Sequence, residues 1–285
     1  VVFVSFLVSG IFVYLIILKI IDNRYFCTTA TILYLLYPYL LGHGLFNPKD
    51  MPFLCFWTIC TYVSINIFSN FSKSGDFNYS AVILISFLSA FLLSIRISGI
   101  LIFIQYLFTL TIFLHVSQIK VISFIKSTYK KIILFILLTI LFTYIFYPVF
   151  WKNPLLIFDS IDWMSNYFND VCTLTLGKCM FSKNLDVTYI PIWLLVKLPV
   201  IILIGLVLLP FTEKKIFINK ESNIAYGTLL LSSFLIPIIL ILKRVNLYDE
   251  LRQIMFIVPL IYILGIVSLY VFSKKIFYFL SVITL

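Results

Sequence analysis

"AVILISFLSAFLLSIRISGILIFIQYLFTLTIFLHV", residues 81–116, decides the fold class: 36 residues carry one formal charge, at Arg96. A single helix of that length would run roughly 54 Å, against a bilayer core of about 30 Å. Two spans meeting at Arg96 fit better, with "SIRISG" supplying the break. A membrane helix needs about 20 apolar residues, within a range of about 17–25. Runs of that kind fall at 1–20, 27–45, 52–70, 80–95, 97–117, 131–150, 190–211, 224–242 and 253–273. The fold class is therefore an all-α integral membrane bundle of about nine complete transmembrane helices.

The whole composition agrees with that reading. Of 285 residues, 62% are hydrophobic and only 11% are charged. Soluble domains run near 45–50% apolar and roughly 25% charged, so a water-soluble fold is excluded. The net charge of +10 does not point to nucleic acid, because the cations sit in short loops between apolar runs. Alternating the nine spans places twelve Lys and Arg with four acids on one face, a surplus of eight. The other face carries eight cations and seven acids, and Lys197 falls inside a span. The positive-inside rule makes the first face cytoplasmic and the second periplasmic, extracellular or luminal. No repeat or composition shift divides the chain, so residues 1–285 read as a single domain with a long outer loop at 151–189. The chain opens inside one apolar run and ends in the first half of another, as a piece missing both ends would.

The five cysteines make no metal pattern. Cys27, Cys55 and Cys60 lie in apolar runs as packing residues, while Cys172 and Cys179 share the polar "VCTLTLGKC". A disulfide between them requires the loop to face an oxidising compartment.

The purposeful polar groups collect on the outer face. "HGLFNPKDMPF", residues 43–53, sets His43, Asn47, Lys49 and Asp50 between two apolar runs. Ionisable groups at such a boundary are costly enough to make function the default hypothesis. Asp50, just ahead of Pro52, reads either as an N-cap or as a carboxylate for a cation or a hydroxyl acceptor. His43 and Lys49 could meet a phosphate beside it. Arg96 must snorkel, pair or bind an anion. "YDELRQIMF" brings Tyr248, Asp249, Glu250 and Arg252 to the last complete span, where mutual pairing competes with phosphate contact. In the 151–189 loop, Phe158, Ile161, Trp163 and Tyr167 among acids predict an interfacial amphipathic helix, an anchor or a lid.

Five blocks resemble a known family in their order: "YPYLLGHGLFNPKDMPFLCFWT", "SIRISGIL", "YPVFWKNPLLIF", "YIPIWLLVKLP" and "YDELRQIMFIVP". They are similar to the polytopic C-type glycosyltransferases. The branch is that of the dolichyl-phosphate-mannose protein mannosyltransferases and the bacterial lipid A aminoarabinose and core-sugar transferases. The resemblance covers roughly residues 1–270. It implies a multi-pass protein of the bacterial inner membrane whose outer-face site takes sugar from a polyprenyl-phosphate carrier with inversion. The acceptor would be a lipid, glycan or protein. It also implies that Asp50 lies near the metal or the donor phosphate, and that His43, Lys49, Arg96 and Arg252 contact phosphate. Mg²⁺ or Mn²⁺ would be held by Asp50 and Asp249. The family's catalytic base is an acid in its first outer loop, which the resemblance places ahead of Val1, so the chain as given is expected to be inactive. The competing class is a transporter or lipid flippase, for which Gly/Pro-broken helices and midplane charges would speak.

Overall fold

A computed structural model describes residues 1–153, 155–156, 159, 170–217 and 219–284. The order begins α1 (Val2–Ile20), α2 (Arg24–Leu35), α3 (Pro38–Phe46), α4 (Asp50–Ser74) and α5 (Tyr79–Ile95). A 3₁₀ turn (Ile97–Ile100) leads into α6 (Leu101–Ser117), followed by α7 (Val121–Phe146) and the single turn α8 (Val149–Lys152). A hairpin of β1 (Cys172–Thr175) and β2 (Lys178–Phe181) precedes α9 (Tyr189–Lys197), α10 (Val200–Ile216) and α11 (Lys220–Leu242). A second 3₁₀ turn (Arg252–Ile257) opens α12 (Val258–Phe272), and α13 (Lys274–Thr284) closes the described chain.

Six stretches are long and apolar enough to cross a membrane: Val2–Ile20, Asp50–Ser74, Ile97–Ser117, Val121–Phe146, Lys220–Leu242 and Arg252–Phe272. Among the described residues these are six, or seven if the pair α9 and α10, bent by 118°, is counted as one broken span. The chain is thus a nearly all-α, multi-pass membrane protein, but nine complete spanning helices are not what the described residues form. The run at 27–45 is two helices of 12 and 9 residues. Pro38 starts the second of them, and Tyr37 before it is extended (φ −62°, ψ 112°), as a residue preceding proline prefers. The same rule breaks 190–211, where Leu198 and Pro199 are both extended between α9 and α10. Helix α5 has 17 residues, about 25 Å. Four residues separate it from the end of α4, and Arg96 just beyond its other end pairs with Asp50 at the start of α4, so it runs back alongside α4.

The expected break at Arg96 is present. Arg96 is a single extended residue (φ −152°, ψ 140°) between α5 and the 3₁₀ turn. Gly99 lets the turn fold back: a Cβ there would lie 3.0 Å from the Leu92 carbonyl oxygen. Tyr147 donates from its hydroxyl to the carbonyls of Leu93 (2.9 Å) and Ser94 (3.3 Å), satisfying the end of α5.

The core is built on α12. Every residue from Val258 to Tyr270 is buried, the pattern of a helix apolar all round. Gly205 of α10 meets it so closely that a Cβ would fall 1.9 Å from the Gly265 carbonyl oxygen, the small-residue contact by which membrane helices pack. Polar side chains stitch the rest: Trp57 donates to Gln105 (2.8 Å), which donates to Thr61 (2.6 Å), and Tyr262 donates to the Ala30 carbonyl (2.7 Å). Facing outward instead are Ile133, Ile136, Leu137, Ile140 and Leu141 of α7, all exposed. An apolar exterior of this kind suits lipid contact rather than water.

The hairpin is a departure from a purely helical chain. Thr175 pairs with Lys178 across Leu176 and Gly177, both at positive φ (49° and 77°), as a two-residue hairpin turn requires. Cys172 and Cys179 are joined by a disulfide, with Cα atoms 5.5 Å apart. The expected interfacial helix bearing Phe158, Ile161, Trp163 and Tyr167 lies outside the described residues.

Candidate functional site

The site is assembled where α4 begins. Asn47 accepts at its side-chain oxygen from the backbone N–H of Asp50 (3.0 Å) and of Lys49 (3.4 Å), turning the chain into α4. Pro52 lies in the first helical turn, where a missing N–H costs nothing. The N-cap alternative for Asp50 is therefore corrected: Asp50 is the first helical residue, and the polar side chain serving the helix start is Asn47. This frees the Asp50 carboxylate, which sits at a helix N-terminus where negative charge is favoured.

That carboxylate is only 3% exposed and is held from three sides. Arg96 Nη1 pairs with Oδ1, and Arg252 Nε donates to Oδ2 at 2.8 Å. Asn47 Nδ2 also donates to Oδ2 (3.0 Å). Arg252 Nη1 reaches on to Asp249 (2.9 Å), which is largely exposed. Asp249 and Glu250 both take left-handed backbone, φ 56° and 61°. Such strain on non-glycine residues collects at functional sites. It is held here by the Glu250 N–H, which donates to the Tyr189 hydroxyl (3.0 Å).

Of the residues singled out from sequence, Asp50, Arg96, Arg252 and Asp249 form one contiguous cluster. His43 joins it indirectly, its Nδ1 3.2 Å from Asn47 Nδ2 and its ring edge-on to Tyr39. Helix α3 lies outside the spanning helices, and burial pushes the His43 imidazole below its ordinary range, with nearby Asp50 pulling it back. Lys49 is not brought in: its side chain is exposed and enters no ion pair among the described residues. Sequence reading missed Lys197, assigned to the interior of a span. It ends α9 at the bend, pairs with Glu250 and lies over the rings of Tyr39 and Trp193. The available signal was Pro199 two residues later, which stops the helix and leaves Lys197 at its end.

The arrangement has donors to spare. A guanidinium carries five N–H donors. The bonds above use one from Arg96 and two from Arg252, and both side chains retain some exposure. As a divalent-metal site the cluster does not fit. Both Asp50 oxygens already accept from cations, Asp249 is bridged to Asp50 by an arginine, and no group of three or more metal-ligating residues occurs among the described residues.

An apolar cavity of ≈ 420 Å³ lies on the α5–α7 side, lined among others by Leu93, Phe103, Ile136, Ile140, Tyr144 and Phe150. Leu93 is three residues from Arg96 in sequence, while none of the charged cluster lines the cavity. Compared with protein families, curated proteins and solved structures, the chain matches none.

Proposed function

We propose that the protein is a membrane glycosyltransferase that takes a sugar from a polyprenyl-phosphate donor and passes it to a hydroxyl of a lipid, glycan or protein. The observation that carries this reading is the pair of arginines converging on buried Asp50, in a chain whose exterior also carries an apolar cavity. A lipid phosphate presents that combination of a doubly polar head and a long apolar tail. The Lys-rich end faces the cytoplasm by the positive-inside rule, and the Asp50 end faces the periplasm of a bacterial inner membrane.

In this reading Asp50 orients the two guanidiniums and is not the proton acceptor, since both of its oxygens are already engaged. Arg96 and Arg252 turn their remaining N–H groups to the phosphate. The acceptor oxygen bonds to the anomeric carbon from the face opposite the phosphate, and the carbon–oxygen bond to phosphate breaks. Its electron pair leaves on the phosphate, where the arginines stabilise the growing charge. The hydroxyl proton passes to a carboxylate base. No step is routed through a metal.

The transporter alternative draws on one feature, the helix pair bent by 118° with Lys197 at its break. Broken helices serve transporters when they carry charge to the bilayer midplane. Lys197 instead pairs with Glu250, adjacent to the Asp249–Arg252 pair at the Asp50 end. The transferase reading is tested with the full-length protein in liposomes supplied with a polyprenyl-phosphate sugar. Asp50→Asn should lower transfer at least about tenfold while membrane insertion is retained, the loss expected for charge-assisted contacts. Wild-type turnover in that variant would leave Asp50 a purely structural residue.

A further inference from the structure

At the end of the bundle opposite Asp50 lies a second polar cavity, of ≈ 270 Å³, lined by Ser69, Ser72 and Lys73 of α4 and by Asn219, Lys220 and Glu221 at the start of α11. Among the described lining residues the one acid, Glu221, is already paired, with Lys19 and, at 3.5 Å, with Lys73. Counting Lys220, three cations face one carboxylate. Helix α11 has 23 residues, and its capping box uses the Ser222 N–H, which donates to Asn219 at 2.8 Å. The first-turn N–H groups of Lys220 and Glu221 have no intrahelical acceptor and carry the positive end of the helix dipole. Independently, Ser69 is 2% exposed, and its buried hydroxyl has no hydrogen-bond partner among the described residues. An unspent buried hydroxyl, a surplus of positive charge over the one carboxylate and a helix N-terminus border one small cavity.

We infer that this cavity binds a phosphate group, from an anionic lipid headgroup in the adjoining leaflet or from a soluble phosphate ester. Lysines act there as compact point charges and the helix start as an anion cradle. The inference is independent of the transferase reading, since none of its residues belongs to the Asp50 cluster.

The test uses the full chain in nanodiscs of phosphatidylcholine, of phosphatidylcholine with phosphatidylglycerol, and of phosphatidylcholine titrated with inorganic phosphate. The readouts are the thermal unfolding midpoint and the lipid retained by native mass spectrometry. Phosphatidylglycerol should raise the midpoint and be retained if the source is a lipid; inorganic phosphate alone should do so if the source is soluble. K73Q/K220Q should weaken that binding roughly tenfold or more. S69A should weaken it roughly threefold while leaving the midpoint in pure phosphatidylcholine unchanged or raised, which loss of a structural contact would not do. K126Q/K130Q, neutralising exposed lysines elsewhere on the same end, should leave it unchanged. The inference is overturned if neither phosphate source acts on the wild type, or if the two double variants weaken binding equally.

Discussion

The two charged ends of the bundle use the same chemistry in opposite ways. At one end the acid is buried and the cations surround it: Asp50 is 3% exposed, gripped by Arg96 and Arg252. At the other the acids reach outward. Asp76, with a side chain 63% exposed, meets Lys131, which is itself buried and donates also to the Phe77 carbonyl. Glu221 is partly exposed between Lys19 and the outlying Lys73. Burying a carboxylate costs several kcal/mol unless it is paired and hydrogen-bonded, so Asp50 is a committed feature. The opposite pairs behave as solvated clasps that fix helix ends. Helix α4, about 37 Å long, carries both kinds, Asp50 at its first residue and Lys73 in its last turn.

That contrast can be broken by mutation. The largest effect is expected for Asp50→Asn, which leaves two guanidiniums facing an amide. The folded chain in detergent should lose about 3 kcal/mol, the low end of the range for breaking a buried pair, because Arg252 is partly solvated. Denaturant unfolding would measure it, and a loss near zero would place Asp50 in the same class as the clasps. Glu221→Gln at the opposite end should cost about 1 kcal/mol or less in the same assay, as partly exposed pairs do. A larger loss would erase the difference between the ends. The smallest effect concerns Asp76, whose carboxyl Lys131 holds below its ordinary value. A lowered acid stabilises the fold fully above its unfolded value and loses that contribution as pH falls through the folded value. The midpoint difference between wild type and Asp76→Asn should therefore be constant at neutral pH and vanish only in acid, below the ordinary carboxylate range. A difference that changes between pH 6 and 8 would mean another group sets it.

Much of the Asp50 end is legible in the sequence because membrane proteins expose their exceptions. Asp50, Arg96 and Arg252 stand out as charges flanked by apolar residues, and the excess length of residues 81–116 forces a break at Arg96. Hydropathy sees composition and not backbone, so it joined the two short helices either side of Tyr37 and Pro38 into one span. Proline alone would not have corrected it: Pro38 and Pro199 open new helices, whereas Pro210 and Pro237 sit inside α10 and α11. Whether a proline starts a helix or is tolerated within one depends on the surrounding fold, which hydropathy does not report. Helix α7 begins at Val121, ahead of the apolar run that starts at 131, because Lys126 and Lys130 remain exposed while Lys131 finds Asp76. Asn47 stands out in the sequence with its polar neighbours, but its role at the start of α4 does not. Its role depends on a turn that brings its oxygen to the Asp50 N–H, and Asp50 was the more conspicuous cap.

The proposed phosphate-binding role of the Asp50 cluster can be measured with the lipid itself. It is tested most directly by binding polyprenyl phosphate, and the same polyprenol without phosphate, to the wild-type chain and to Arg96→Gln and Arg252→Gln. The account expects the phosphate form to bind the wild type at least about tenfold more tightly than the polyprenol, and each arginine variant to lose most of that preference. Equal binding of both lipids, or a preference untouched by either substitution, would contradict it.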